Sequence, residues 1–189
     1  MTEAERPPIE FPVEGPTDGA IRLRLLAESD LDALVDAVQD PEVPRWTRIP
    51  STYGEADAQR WLVEGASRRE SGEGLDTMIV DTETDALLGG VGMVRIDWQE
   101  RTSELGYWLS GEARGRGVMT RAVRLFSEWI FENLPIDRLG IMASVDNAAS
   151  RAVAERAGFE FEGVLRSFVI INGERHDMAV YSLLRGELR

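Results

Sequence analysis

Residues 104–124 read ELGYWLSGEARGRGVMTRAVR. Over 103–109, Leu105, Tyr107 and Leu109 alternate with Glu104, Gly106 and Trp108, the two-residue period of a strand. From Val118 the period changes. Val118, Ala122, Leu125, Phe126, Trp129 and Ile130 recur at three- and four-residue spacing, as on one face of a helix. Between them stands Arg114-Gly115-Arg116-Gly117. Glycines there let the backbone approach a ligand closely, and the N–H groups that open a helix have no partner inside it. The helix dipole adds about half a positive charge at that end, so strand, turn and helix together predict a site for a phosphate-bearing guest.

The run Arg114-Gly115-Arg116-Gly117-Val118-Met119 resembles the Q/R-x-x-G-x-G/A acyl-CoA signature of the Gcn5-related N-acetyltransferases, with Met119 where Gly or Ala is usual. The flanking ELGYWL and MTRAV look like the branch that contains the RimJ/RimL ribosomal-protein N-terminal acetyltransferases. The resemblance implies acetyl-CoA as co-substrate and no metal. It implies cofactor contacts at Trp108, Leu109, Arg114, Gly115, Arg116, Gly117, Val118, Met119, Thr120, Asn147 and Ser150, the pyrophosphate lying on the backbone from about Arg114 to Thr120.

Working outward, 189 residues suffice for one well-buried domain and are too few for two ordinary ones. A flexible tail is expected over 1–19, which is acidic, proline-rich and without usable period, and a single domain over 20–189. That tail lacks the pattern of a signal peptide, and no apolar run approaches a membrane span, so a cytoplasmic protein with no membrane partner is expected. The formal net charge of −13 argues against a nucleic-acid partner and suits a cationic acceptor such as an amine. All 21 basic residues are Arg, which excludes a Schiff-base lysine and a phosphate-loop lysine. Absence of Cys excludes disulfides and a cysteine-borne acyl intermediate. Oligomeric state stays open between monomer and homodimer.

Residues 21–25 alternate as a first strand. A helix is expected from Ser29, burying Leu31, Leu34, Val35 and Val38, and Pro41 and Pro44 stop it. Residues 41–50 read as a loop carrying Trp46. Thr52 and Glu55 have capping-box spacing before a second helix over 55–69. Strands follow at 75–81 and 87–97. The turn between them begins like a calcium loop but has Ala86 at the required glycine and Gly92 at the bidentate glutamate, so a plain turn is the better reading. After the central strand and helix come a strand at 138–145, a helix opened by Asn147 and closed by Gly158, and a hairpin turning at Asn172-Gly173. The expected fold is α/β: a mixed, mostly antiparallel sheet of about seven strands with helices on both faces. That order matches the acetyltransferase fold over roughly 21–187.

Direct acyl transfer demands little of the protein. A free α-amine, with a pKa of about 8, is roughly a tenth neutral at pH 7, whereas a lysine is neutral less than about one time in a thousand. A weak base then suffices. Glu104, beside apolar neighbours on the central strand, is either that base or a carboxylate paired with a nearby Arg. Ser150 either supports the leaving thiolate or only caps its helix, and Asn147 is the better candidate to touch the cofactor backbone. Trp46, Glu104 and Tyr107 are the candidate substrate residues, although core packing is the better reading of Trp46, Trp61 and Tyr107. Arg114, Arg116 and Arg121 form a positive island able to pair with phosphates. His176 beside Asp177 lacks any nucleophile motif to serve.

Three functions compete. An acetyl-CoA-dependent N-acyltransferase working in a ternary complex on a primary amine, a protein N-terminus or a small molecule, accounts for most of the features; succinyl-CoA as donor is a variant of it. A dinucleotide-binding oxidoreductase would need a third glycine where Thr120 stands. A non-catalytic acyl-CoA-binding module would keep the turn and lose the chemistry, and Glu104 and Ser150 speak against it.

Overall fold

Where apolar residues alternate, the chain forms seven strands, and where they recur every three or four residues it forms helices. The computed structural model describes residues 6–188. The order is β1 (Ile21–Arg24), α1 (Leu31–Val38), α2 (Glu42–Trp46), α3 (Glu55–Glu70), β2 (Leu75–Asp81), β3 (Leu87–Asp97), β4 (Thr102–Leu109), α4 (Val118–Asn133), β5 (Arg138–Ser144), α5 (Ala148–Ala157), β6 (Glu160–Ile171) and β7 (Glu174–Leu184). The sheet runs β1-β2-β3-β4-β5-β7-β6 and is antiparallel throughout except between β4 and β5. That parallel pair is bridged by α4, because two parallel neighbours need a crossover rather than a hairpin.

The parallel pairing is short. It runs from Thr102↔Arg138 to Leu105↔Ile141 and stops there, although β4 continues to Leu109 and β5 to Ser144. Each strand stays bound on its other edge, β4 to β3 as far as Leu109↔Gly89 and β5 to β7 as far as Ser144↔Met178. The two therefore open like a V in mid-sheet, and among the described residues no strand pairs with the inner edge of residues 106–109.

Helices cover both faces. Against α4 and α5 lies a dry core that includes Leu105, Phe126, Ile130, Ile141 and Tyr181. Against α1 and α3 lies a smaller cluster with Leu34, Val38, Ala58, Met78 and Trp108. Since strand neighbours point oppositely, β4 sends Leu105, Tyr107 and Leu109 toward the first core, and Glu104 and Trp108 toward the second.

Four local expectations are corrected. The first helix does not start on Ser29. The Asp30 carboxylate accepts the Ala27 N–H at 2.8 Å and two Arg24 nitrogens at 2.6 and 2.8 Å, so a 3-10 turn over Glu28–Asp30 leads into α1. Residues 42–46, expected as loop, form α2, whose first N–H is accepted by Asp40 Oδ1 at 2.9 Å. Pro44 is tolerated there because its missing N–H falls in the first turn. At α3, Gly54 is the cap and Asp57 accepts its N–H at 3.0 Å; the Thr52–Glu55 box does not form. Finally, the expected tail is docked in part. Ile9 is fully buried, and Phe11 meets Trp129 edge-on at 4.7 Å. Two apolar side chains spaced two apart reach one face of an extended segment, and each adds roughly 1.5–3 kcal/mol of burial. Residues 1–5 of that tail lie outside the described residues.

Candidate active site

Gly115 and Gly117, in the turn before α4, have φ of +72° and +73°. Nothing lies within 4 Å of a Cβ built at either, so it is the left-handed backbone and not crowding that asks for glycine. Gly117 is the N-cap of α4, and the first N–H bonded back to the turn is that of Arg121, to the Gly117 carbonyl. Among the described residues no protein oxygen accepts from the N–H groups of residues 115–120. Val118 and Met119 turn their side chains into the core, leaving their backbone to face the turn, while Thr120 is half-buried.

The arginines here are less available than their spacing suggested. Arg114 pairs with Asp40 at 3.0 Å and donates to the Leu109 carbonyl at 3.0 Å. Arg121 pairs with Asp18 at 2.6 Å. Arg116 is exposed, and its charge is felt at Asp81. The anion-attracting character of the turn thus rests on backbone N–H groups and Arg116, with Arg114 and Arg121 tied to carboxylates.

The V between β4 and β5 is spanned by one polar contact. Tyr107 Oη lies 2.9 Å from Ser150 Oγ and donates to the Ser150 carbonyl at 3.1 Å. Asn147 is the cap of α5, its Oδ1 accepting the Ser150 N–H at 3.0 Å. Ser150 is therefore not the capping residue, and its hydroxyl is turned to Tyr107 instead. Burial pushes the Tyr107 phenol up to about 12, with the Ser150 bond opposing, so the phenol keeps its proton at neutral pH. Tyr107 was expected beside the substrate with Glu104. It points to the opposite face and joins Ser150.

On the α1/α3 face, Glu104 is about three-quarters buried, its side chain 23% exposed. Burial raises its carboxyl above the usual range, against the charges of Arg95 and Arg48. Arg95 is its register partner across a bulge in β3, 3.7 Å away. Trp108, expected on the cofactor, packs here with Trp61 at 6.3 Å between ring centroids. Trp46 is held by its Nε1–H, which donates to Glu42 at 2.9 Å, and it meets the His176 ring at 6.4 Å. His176 sits 3.4 Å from Ser144 Oγ, while Asp177 accepts the Ser167 N–H; the two neighbours do not form a dyad.

One open cleft of about 600 Å³ joins the two faces through the V. Trp46, Glu104, Tyr107, Trp108, Leu109, Arg114, Met119, Asn147 and Ser150 all line it; Gly115, Arg116, Gly117, Val118 and Thr120 stand outside its lining, in and after the turn. Sequence reasoning missed Arg48, Asp76 and Arg95. Arg95 in particular reaches Glu104 only through strand register, which no local signal announces. Among the described residues no three His, Asp or Glu side chains gather as a metal site, and no helix is long and apolar enough to cross a membrane.

Comparison with known proteins gives this geometry its context. The acetyltransferase (GNAT) domain family matches residues 20–160. A protein of Bacillus subtilis (strain 168) carrying the name "Putative ribosomal N-acetyltransferase YdaF" is 32% identical over 171 residues, 88% of this chain and 92% of its own. The ribosomal-protein-serine acetyltransferase of Escherichia coli (strain K12) is 30% identical over 109 residues, 58% of this chain and 61% of its own. Among solved structures, the microcin C7 self-immunity acetyltransferase MccE, in complex with acetyl-CoA and AMP, superposes with a TM-score of 0.84 at 25% identity, covering 92% of this chain and 98% of its own.

Proposed function

The chain belongs to the GNAT acetyltransferase family, and on that premise we propose that it transfers acetyl from acetyl-CoA directly to a primary amine, the N-terminus of a protein, in a ternary complex. The observation that carries this reading is the V after Leu105↔Ile141, with a turn of unaccepted N–H groups at one side and the Glu104 cleft at the other. The relatives named for ribosomal proteins support a protein acceptor. A cytoplasmic setting and a single domain over 20–189 are part of the same reading.

The residues fit the donor. Backbone N–H groups at a helix N-terminus suit its phosphates, and the inner edge of residues 106–109, without a partner strand though its Leu109 carbonyl accepts from Arg114, suits its amide-bearing arm. Acetyl-CoA supplies an already activated thioester, so no protein nucleophile is needed. Glu104 takes the proton from the incoming ammonium; its raised carboxyl makes it a better base once ionised. Across the V, Tyr107 and Ser150 hold a proton beside the place where the leaving sulfur gains charge, with the Tyr107 phenol kept protonated by burial. Trp46 and Trp108 wall the acceptor side. Base and acid thus stand on opposite faces of one strand.

Calorimetric titration with acetyl-CoA, succinyl-CoA and NADH, followed by mass spectrometry of peptides incubated with enzyme and donor, tests this reading. The expected result is acetyl-CoA binding and one acetyl group on the peptide N-terminus. Tighter succinyl-CoA binding would change the donor, and binding of neither ester would remove the assignment of the turn.

A further inference from the structure

On a chain of formal net charge −13, two arginines that line the acceptor half of the cleft, Arg48 and Arg95, have no carboxylate within hydrogen-bonding distance among the described residues. Of the six charged side chains that line the cleft, three are already matched. Glu42 is held by Arg45 at 2.9 Å and by Trp46, and Asp76 by Arg68 at 2.9 Å. Arg114 is matched by Asp40. What remains is Glu104 with two arginines, Arg48 and Arg95, all three lining the cleft. Both guanidiniums belong to exposed residues. Arg95, its side chain 70% exposed, stays 3.7 Å from Glu104, beyond hydrogen-bonding distance, and Arg48 acts on Glu104 only through space. One carboxylate thus faces two cations at the mouth. Val94 and Phe168 also line the cleft and are 47% and 49% exposed, two apolar side chains open to a guest.

We propose that the acceptor is a polypeptide whose free N-terminal amine is followed, within its first few residues, by acidic side chains that Arg48 and Arg95 hold. This deepens the reading of a protein N-terminus as acceptor and rests on it. Glu104 draws the terminal ammonium inward. A second positive charge on the acceptor meets two guanidiniums and is repelled, which disfavours polyamines. A carboxylate one to three residues on lies within about 3.3–10 Å of extended chain, inside reach of flexible arginines, whose planar forks suit carboxylates. Val94 and Phe168 give the peptide stem between them something apolar to lie on.

The test uses peptides of equal length and identical first residue, with residues two to four acidic, neutral or basic, and spermidine as a fourth acceptor. The kcat/KM of each is measured with acetyl-CoA on the wild type, Arg95→Glu, Arg48→Glu and the double variant, after thermal unfolding has shown each variant folded. The acidic peptide is expected to exceed the basic one about tenfold on the wild type. That ratio shrinks toward one in about 1 M salt, where charges are screened within about 3 Å, and it inverts in the double variant. Because the ratio compares two substrates on one enzyme, any change the variants cause at Glu104 cancels. A ratio unmoved by the double reversal, or a wild-type preference for the basic peptide or spermidine, overturns the inference. Equal turnover of all three peptides overturns it alone. Failure to acetylate any peptide by a protein that binds acetyl-CoA overturns the protein-N-terminus reading and this inference with it.

Discussion

The two faces of the sheet are built on different physics. The α4/α5 face is a dry core in which Phe126 stacks on Trp129 at 6.0 Å, and Tyr181 and Ile141 are inaccessible to solvent. What it offers a ligand is backbone: a glycine turn and the first N–H groups of α4. The α1/α3 face has a small apolar cluster and arginine–carboxylate pairs along the cleft that Glu104 lines, so what it offers is side-chain charge. Backbone N–H groups recognise one common donor whatever the neighbouring side chains. Paired side chains can be exchanged one at a time, which lets the acceptor differ between relatives of the same fold.

The contrast can be broken most strongly from the core. Phe126→Ala is expected to cost about 4 kcal/mol of stability, against about 3 kcal/mol for Leu34→Ala under the opposite face. Denaturant unfolding measures both, and calorimetry should find acetyl-CoA affinity lowered in the first and kept in the second. Gly117→Glu places a side chain at φ +73° and a negative charge at the anion turn. Acetyl-CoA binding should weaken at least about a hundredfold, or about 2.7 kcal/mol, in a protein that still unfolds cooperatively. Retained affinity would mean the donor sits elsewhere.

On the acceptor side the expected effects are smaller and depend on pH. Burial raises the Glu104 carboxyl, so the wild-type kcat/KM, corrected for ionisation of the amine, falls as pH drops through a value above the ordinary carboxylate range. Glu104→Gln should be about tenfold slower near pH 7 and should lack that acid limb. An unchanged profile would remove Glu104 as the base. Tyr107→Phe, which takes away the hydroxyl 2.9 Å from Ser150, should lower turnover by only about threefold, since Ser150 stays held by the Asn147 cap. A loss as large as that of Glu104→Gln would make Tyr107 the principal proton donor.

Much of the donor side was legible in the residues. The two-residue period of β4, the glycines at 115 and 117, the helical period of α4 and the Asn172-Gly173 turn are local signals, and each element forms where its signal stands. Capping was less legible. Ser29 and the Thr52–Glu55 pair obey the local rules, yet Asp30 and Asp57 take the work, because a carboxylate that also meets Arg24 or Arg60 outcompetes a lone hydroxyl. The short α2 was hidden by its prolines. Ile9 and Phe11 were hidden because their alternation is short and is flanked and broken by Pro7, Pro8 and Pro12.

By itself, the sequence determined the order of the strands and of every helix but α2, the turn that presents N–H groups, and the absence of lysine and cysteine chemistry, because these follow from neighbours within a few positions. The tertiary structure alone decided that β4 and β5 part after Leu105, that Tyr107 meets Ser150, that Arg114 and Arg121 are tied to Asp40 and Asp18, and that Arg48 and Arg95 gather at Glu104. Each of those depends on charge pairs and strand edges brought together from distant parts of the chain, and such contacts leave no period or motif to read.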